Sequence, residues 1–451
     1  MARILIRNTT VLDPDPAELR ILPGHDVLID GQYIAAVQPS PSPSDPEPQA
    51  VLEKPIEEYI DGSALLCLPG FINSHAHAAM VLFRGAVEDV DVLRWFNDYI
   101  WRMESQLSPE DVYWGTLLAA IEMLESGVTC LADHYFFMEH VAPALAESGM
   151  RAHLAPTLFG QDIRAELLEH QHIAQRWHGY DQGRIQLWLG PHSPYLCSQE
   201  VLRSVLAEAK DSQMGIHLHV AETRSQVEAS LSEHGATPVA YLERLGLLDV
   251  PLLSAHSVHL SAEDVMILEA HKTNVGIAHC PKTFLKLASG IAPVTELLAR
   301  GLAVGVGSDG AASNNTLDML EQMRLAAMLQ KHQQEDATAL PRAQAISLLS
   351  YQGARVLHQP QLGRLAPGYL ADIALLRLDG AHSQPLHDVT AALVYALRAA
   401  DVDSTIVNGQ LLMRQRQLRQ LDKARVLAEV QRRAPRLLQA DDAERQRSFP
   451  S

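Results

Sequence analysis

The chain has little of what marks several common protein classes. Cysteine occurs four times in 451 residues, as Cys67, Cys130, Cys197 and Cys280. None of these forms a C-x-x-C pair, so a zinc ribbon or a disulfide framework is not expected, and reduced buried thiols are. No run of 18 or more apolar residues is present, so no membrane span is expected. The opening residues, MARILIRNTTVLDPDP, lack a signal-peptide apolar core, and the expected location is the cytoplasm. Basic residues form no run: 36 Lys and Arg stand against 54 Asp and Glu, a formal net charge of −18. Nucleic acid is therefore not an expected partner.

What is present suits a large folded enzyme. Hydrophobic residues make up 47% and charged residues 20%, enough apolar surface for a sizeable core. The length accommodates a barrel of roughly 250 residues or more with an accessory module. Residues 1–64 read as short strands and turns, among them Ile4-Leu5-Ile6, Val27-Leu28-Ile29 and Ile34-Ala35-Ala36-Val37, with Asp30-Gly31 as a hairpin signal. The stretch from Pro39 to Pro48 reads as a mobile surface loop. Across residues 65–364, apolar runs of strand length alternate with helical segments. The predicted strands are Leu66–Ile72, Val128–Ala132, Ala152–Thr157, Ile185–Leu189, Gly215–Val220, Leu252–Ala255, Val275–Ala278 and Ala303–Gly307. Ser108-Pro109-Glu110-Asp111, Ser198 with Glu200, and Ser261 with Glu263 and Asp264 are helix-start signals. The predicted fold is a (β/α)8 TIM barrel. Strand texture returns over residues 365–420, which are expected to join 1–64 in a small β-sandwich; 421–451 read as a surface helix and tail.

Four features fall at predicted C-terminal strand ends, where barrel enzymes build their sites. Asn73-Ser74-His75-Ala76-His77 ends the first strand, and a period of two turns both imidazoles to one face. Three H-x-H pairs occur, His75/His77, His170/His172 and His217/His219, where about one would arise by chance. His217-Leu218-His219-Val220-Ala221-Glu222 ends the fifth strand, and Ser254-Ala255-His256 the sixth. Gly307-Ser308-Asp309-Gly310 ends the eighth; read alone, Asp309 is a turn or helix cap. The weight lies in their order along one rim. His170, His172, His178, His332 and His358 read as surface residues, while His259 and His279 are candidates for the pocket wall. Trp95 and Trp101 read as core packing, with a substrate lid as the alternative.

On Pro69 to Met80, Gly190-Pro191-His192-Ser193-Pro194-Tyr195, Ser308 to Asn315 and Leu365 to Asp372, the chain resembles the amidohydrolase superfamily. Within it, the chain is similar to the aminohydrolase branch of 5′-methylthioadenosine/S-adenosylhomocysteine deaminases and s-triazine hydrolases. The likeness runs from about residue 3 to 415. It implies His75, His77, His219 and Asp309 as metal ligands, Glu222 as proton shuttle, and His256, with Asp309, as the group orienting the attacking water. It implies substrate contacts from Glu104, His192, Glu222 and Asp309. The fourth strand carries no lysine to bridge a second metal, so one divalent ion is implied. Zn²⁺ suits the ligands best, with Fe²⁺ or Mn²⁺ as alternatives. Pro156 stands where the deaminases carry a substrate-binding Arg, with Arg164 nearby as a substitute. Thr283-Phe284-Leu285-Lys286-Leu287 replaces the family's Ser-Asn-Leu-Lys-Leu.

The implied reaction is hydrolytic deamination of an adenosine-type nucleoside, with hydroxide generated at the metal. The alternative is hydrolysis of another amino- or chloro-substituted heterocycle, such as an s-triazine or guanine-type base. A catalytically inactive barrel used for assembly is a third reading. A small heterocyclic molecule is the expected partner, and a homo-oligomer, dimer or tetramer, the expected assembly. The H-x-E…P-C-x-x-C signature of the nucleobase deaminases with His/Cys/Cys zinc is absent.

Overall fold

The structure is a computed structural model, and it describes residues 3–14, 18–42, 44, 54–159 and 162–438. Residues 43 and 45–48 of the proline-rich loop, and the tail after 438, lie outside the described residues. Strands β1 (Arg3–Asp13), β2 (Arg20–Asp30) and β3 (Tyr33–Pro39) form an antiparallel meander. The β2–β3 turn is Gly31-Gln32, with Gly31 at φ +64°. This is the left-handed backbone that the Asp30-Gly31 signal implies. Strands β4 (Glu58–Asp61) and β5 (Leu65–Pro69) run parallel to β1.

The apolar run Leu66–Ile72, expected as one strand, is two. Gly70 divides it. A Cβ there would lie 2.2 Å from the Thr129 side chain, so only glycine lets the backbone pass this close. Beyond it, β6 (Phe71–His77) opens a parallel set that alternates with helices. The set continues with β7 (Val128–Tyr135), β8 (Arg151–Leu158), β9 (Ile185–Leu187) and β10 (Gly190–Pro191). It ends with β11 (Ile216–Val220), β12 (Leu252–His256), β13 (Val275–His279), β14 (Ala303–Val306) and β15 (Asp309–Gly310). These pair in two sheets, β10-β8-β7-β6-β15 with β9 also on β8, and β11-β12-β13-β14. A parallel bridge between Leu189 and Ile216 joins them on one side. On the other side, Asp309 and Gly310 pair with Ala76 and His77. Below that pairing, Ile72 and Val306 donate their N–H groups to the Leu349 and Leu348 carbonyls.

The helix-start signals act as read. Ser108 and Asp111 form a capping box on the helix Pro109–Glu125, as Ser261 and Asp264 do on Ala262–Ala270, and Ser198 caps Gln199–Ser212.

Strands β16 (Ile373–Arg377), β17 (Val402–Val407), β18 (Gln410–Arg414) and β19 (Gln417–Leu418) return to the first sheet. The order is β19-β18-β17-β16-β5-β1-β2-β3, with β4 on β1. Hydrogen bonding thus makes one nine-stranded sheet where the sequence suggested two facing layers. Ile34 exchanges backbone hydrogen bonds with Gly368 and Tyr369, so the sheet bends back on itself around Ile4, Ile6, Ile29, Ile373 and Ile406. The helix Lys423–Leu438 buries Val426, Val430 and Leu437, and its Arg433 and Arg436 pair with Asp111. Among the described residues no helix is long and apolar enough to cross a membrane.

One buried ion pair ties the two parts together. Arg151, at the start of β8, donates to both carboxylate oxygens of Asp372 at 2.8 and 3.0 Å, and to the Asn408 side-chain oxygen at 3.0 Å. Both partners are almost fully buried, at 2% and 3% side-chain exposure. Removing one charge would strand the other in a low-dielectric interior. Asp372→Asn should therefore destabilise the protein by about 3–5 kcal/mol, read as a lowered denaturation midpoint; an unchanged midpoint would contradict this role.

Candidate metal centre

Because β6 to β14 run parallel, their C-terminal ends share one rim. His75 and His77 stand at the end of β6, His219 on β11, and His256 closes β12. Asp309 enters after Gly307, where a Cβ would sit 3.0 Å from the His75 backbone and from Cys280 Sγ. Lacking one, the chain brings Asp309 against the two β6 histidines. His256 and Asp309 have left-handed backbones, φ +77° and +59°. Such a conformation costs a non-glycine residue on the order of 1–3 kcal/mol and is concentrated at functional sites.

The nitrogens and oxygens converge. Asp309 Oδ1 lies 3.2 Å from His77 Nε2 and 3.6 Å from His75 Nε2, and His219 Nε2 lies 3.4 Å from His77 Nε2. Two overlapping groups, His75/His77/His219 and His75/His256/Asp309, each keep their donor atoms within 4.8 Å of one another. The far side of each ring is tethered. His77 Nδ1 donates to the His134 carbonyl at 2.6 Å, and His219 Nδ1 to the His192 carbonyl at 2.8 Å. His75 Nδ1 is 2.8 Å from His217 Nε2. A carbonyl only accepts, so Nδ1 carries a proton in both His77 and His219, and in the neutral form of each ring the Nε2 lone pair faces the shared space. His75 Nε2, fully buried, has no hydrogen-bond partner. Three imidazole lone pairs and a carboxylate around one point are a donor set that fits a divalent cation such as Zn²⁺.

Electrostatics agree with that donor set. Burial pushes His75 down to about 4 and His256 down to about 3, so both rings are neutral at pH 7. At His77 burial opposes the charged form, but Asp309, the His134 carbonyl and Asp133 outweigh it and raise the group to about 9. The carboxylates thus draw positive charge to this point, held as a proton on His77 that a bound cation would displace. Burial, then the charge of Asp309, pushes Glu222 up to about 8. Burial likewise raises Glu104 to about 7, although Tyr135 Oη donates to it at 2.8 Å.

His77, His219, Glu222, His256 and Asp309 line one cavity, and Glu104 and His192 line it with them. Trp95 and Trp101 also border this space, so neither is simple core packing. Two neighbours escape a reading built on H-x-H pairs, Asp133 and His134 near the end of β7, and His217, read only as half of such a pair, is the ring that meets His75. Asp133 accepts from the Ala78 N–H at 2.6 Å, and His134 lines the cavity with its Nε2 donating to the Gly190 carbonyl at 3.1 Å. Their signal was Asp133-His134 at a strand end level with His77.

Several expectations fail. His170 is buried, its Nε2 donating to the Trp188 carbonyl at 3.2 Å, because its helix turns that face inward. His279 packs behind the rim against Phe284, and His259 donates to the Ser289 carbonyl; neither borders the cavity. Arg164 points to solvent and pairs with Asp162, the helix-start geometry being local, so it replaces no pocket arginine. Phe284 packs on His256, ring centroids 5.6 Å apart. His172, His178 and His332 are exposed, and His358 is half-buried.

Comparison with known proteins adds to the geometry. The model of the amidohydrolase family matches residues 66–412. A 5-methylthioadenosine/S-adenosylhomocysteine deaminase from Pelotomaculum thermopropionicum is 45% identical over 441 residues, 97% of this chain and 99% of that one. A zinc-bound adenosine deaminase from Xanthomonas campestris superposes with a TM-score of 0.90 at 30% identity, covering 96% of this chain and 98% of that one. An atrazine chlorohydrolase from Arthrobacter aurescens, in complex with zinc, gives 0.86 at 27%, covering 96% and 100%. The fold is a TIM barrel with an extra domain.

The tether on His75 can be tested without any substrate. His217→Phe, which keeps an aromatic ring but loses the nitrogen, should weaken metal affinity about 10–100-fold in chelator competition. An unchanged affinity would remove His217 from the site's support.

Proposed function

The chain belongs to the amidohydrolase family, and on that premise we propose that it is a hydrolytic deaminase of adenosine-type nucleosides. Its substrates would resemble 5′-methylthioadenosine or S-adenosylhomocysteine, with water replacing the ring amino group and ammonia leaving. The observation that carries this reading is near full-length similarity, at 45% identity, to a deaminase named for those two compounds. The eight strand positions are read as one closed (β/α)8 barrel, supported by the pairings at Leu189–Ile216 and Asp309–Ala76. Residues 1–64 and 365–420 are read as the accessory β-domain.

His75, His77, His219 and Asp309 are the proposed ligands of a single divalent metal, and Zn²⁺ fits them. When bound, such an ion lowers the pKa of water from 15.7 towards about 7 and so supplies a nucleophile at neutral pH. Glu222 is the proposed proton carrier. Its carboxyl is buried beside Asp309, with a raised pKa, so it can take a proton and return it at pH 7. It would pass that proton from water to the ring nitrogen beside the amino-bearing carbon, and then help ammonia leave. His256, neutral and fixed by its left-handed backbone and Phe284, would orient the attacking oxygen. Trp95, Trp101, Phe136 and Phe159 give the cavity flat apolar walls for a planar heterocycle. Glu104, paired to Tyr135, and His192 are the proposed polar substrate contacts.

Glu222→Gln should lower kcat by about 10²–10⁴-fold while metal content stays at wild-type level; full turnover in this variant would refute the proton-carrier role. Ammonia release should be highest with 5′-methylthioadenosine-like nucleosides. Chloride release from chlorotriazines without nucleoside deamination would favour the heterocycle alternative.

A further inference from the structure

The cavity at the metal ligands is too small for a planar heterocycle. Its volume is about 50 Å³, room for a few waters and well below the roughly 300–1,000 Å³ of small-ligand sites. The neighbouring space of about 380 Å³ is bordered by none of His75, His77, His219 and Asp309. A base that reacts at those residues has to enter the smaller space, and part of its wall has to give way.

Much of that wall is fixed. His77, His219, His256 and Asp309 stand on barrel strands. Trp95, Phe96, Trp101 and Glu104 come instead from one segment, residues 85–104, which makes no strand pairing. Its middle, Trp95–Ile100, is a π-helix, a rare element that recurs at functional sites. At its start Gly85 has φ +69° with nothing within 4 Å of a Cβ position, and Asp89 has φ +57°. Positions of this kind can absorb the backbone rotation of a hinge. The segment crosses the mouth of the cavity. It leaves β6 beside the loops after β13 and β15, and by Trp101 it shares the wall with Phe136 and Phe159, just past β7 and β8.

One side chain ties down its near end. Both carboxylate oxygens of Glu88 are engaged: Lys286 Nζ lies 2.6 Å from Oε2, and Asn315 Nδ2 donates to Oε1 at 2.7 Å. Lys286 also donates to Asn315 Oδ1, which closes the triangle. Lys286 ends the helix Pro281–Lys286, and the next residue, Leu287, lines the cavity. Asn315 caps the helix Ala311–Asn314 that follows Asp309. Arg84 donates to the Asn315 carbonyl and pairs with Glu122, which anchors the chain just before the hinge. The Glu88 and Lys286 side chains are 36% and 25% exposed, and an ion pair so open to solvent is weak enough to break and re-form.

We propose that residues 85–104 are a lid hinged at Gly85 and Asp89, and that Glu88, Lys286 and Asn315 are positioning residues that latch it closed. The proposal rests on the metal cavity being the place where substrate reacts, and not on which heterocycle reacts there. An outward swing carries Trp95, Phe96 and Trp101 off the cavity and admits the base. Closure returns the apolar walls and excludes water.

The test uses the metal-loaded, full-length enzyme. Glu88→Gln and Lys286→Met each remove one charge of the latch. Glu88→Lys with Lys286→Glu reverses it, an exchange that the Asn315 amide can follow by turning over. Trypsin cleavage after Arg94 and Arg102, both within the segment, reports its open population. Each single variant should be cut there about three- to fivefold faster than wild type, and the reversed pair at close to the wild-type rate. Glu296→Gln, which breaks an exposed ion pair with Arg300 elsewhere on the surface, should leave the rate unchanged. With 5′-methylthioadenosine the single variants should raise KM about three- to fivefold without lowering kcat, and the reversed pair should recover. Wild-type cleavage rates in both single variants, or a reversed pair cut as fast as they are, overturn the proposal. A joint fall in kcat and metal content would show a purely structural role and overturns it too. An enzyme that deaminates no nucleoside defeats the deaminase reading, and the cleavage rates then decide the lid by themselves.

Discussion

The hydrogen bond from His219 Nδ1 to the His192 carbonyl, 2.8 Å long, decides more than the orientation of one ring. With its twin from His77 to the His134 carbonyl, it fixes which nitrogen carries the proton and therefore which one offers a lone pair. Both carbonyls belong to strand ends or the loops just after them. A bond of this kind exists only if neighbouring parallel strands are in register, so the metal centre depends on the ladder beneath it. The backbone N–H of His219 also donates to the His192 carbonyl, which locks the main chain and the side chain of β11 to the same oxygen.

Burial then sets the chemistry. Neutral imidazoles are the ones able to bind a metal, and desolvation holds His75, His219 and His256 neutral. The same desolvation raises Glu222 to about 8, so a carboxyl that would be a bare anion in water becomes able to carry a proton at neutral pH. One physical term prepares two of the proposed ligands, His75 and His219, together with the proposed proton carrier. The opposing charge of Asp309 differentiates them, drawing positive charge to its own side and adding to the rise at Glu222.

The sequence revealed the parts of this arrangement that depend on order and period. His75, His77, His219, His256 and Asp309 were legible because strand ends recur along the chain and a period of two aligns one H-x-H pair. The helix starts were legible because Ser108, Ser198 and Ser261 act through bonds to residues three positions away. The supports were not. His217 and His134 matter through contacts with residues 142 positions away in the first case and 56 in the second, and neither the H-x-H pair nor the strand-end position says which residue they support. The division of Leu66–Ile72 was hidden for the same reason: Gly70 matters because Thr129, far along the chain, leaves no room for a side chain. His170 was misread because alternation in a polar helix does not say which face a neighbouring strand will cover.

The proposed metal donors and proton carrier come from β6, β11 and β15 and the loops that follow, held by register and burial. A neighbouring cavity of about 380 Å³ takes its walls from the segment around Trp101, the end of β7, the end of β8 and the helix Arg164–Trp177. A zinc-bound adenosine deaminase and a zinc-bound atrazine chlorohydrolase superpose on this chain with TM-scores of 0.90 and 0.86, so in those two proteins one scaffold carries different substrates. The Glu104–Tyr135 hydrogen bond stands where the two regions meet. Both residues border the cavity of the proposed metal ligands and its neighbour, so a group that moves this pair changes the shape of both spaces.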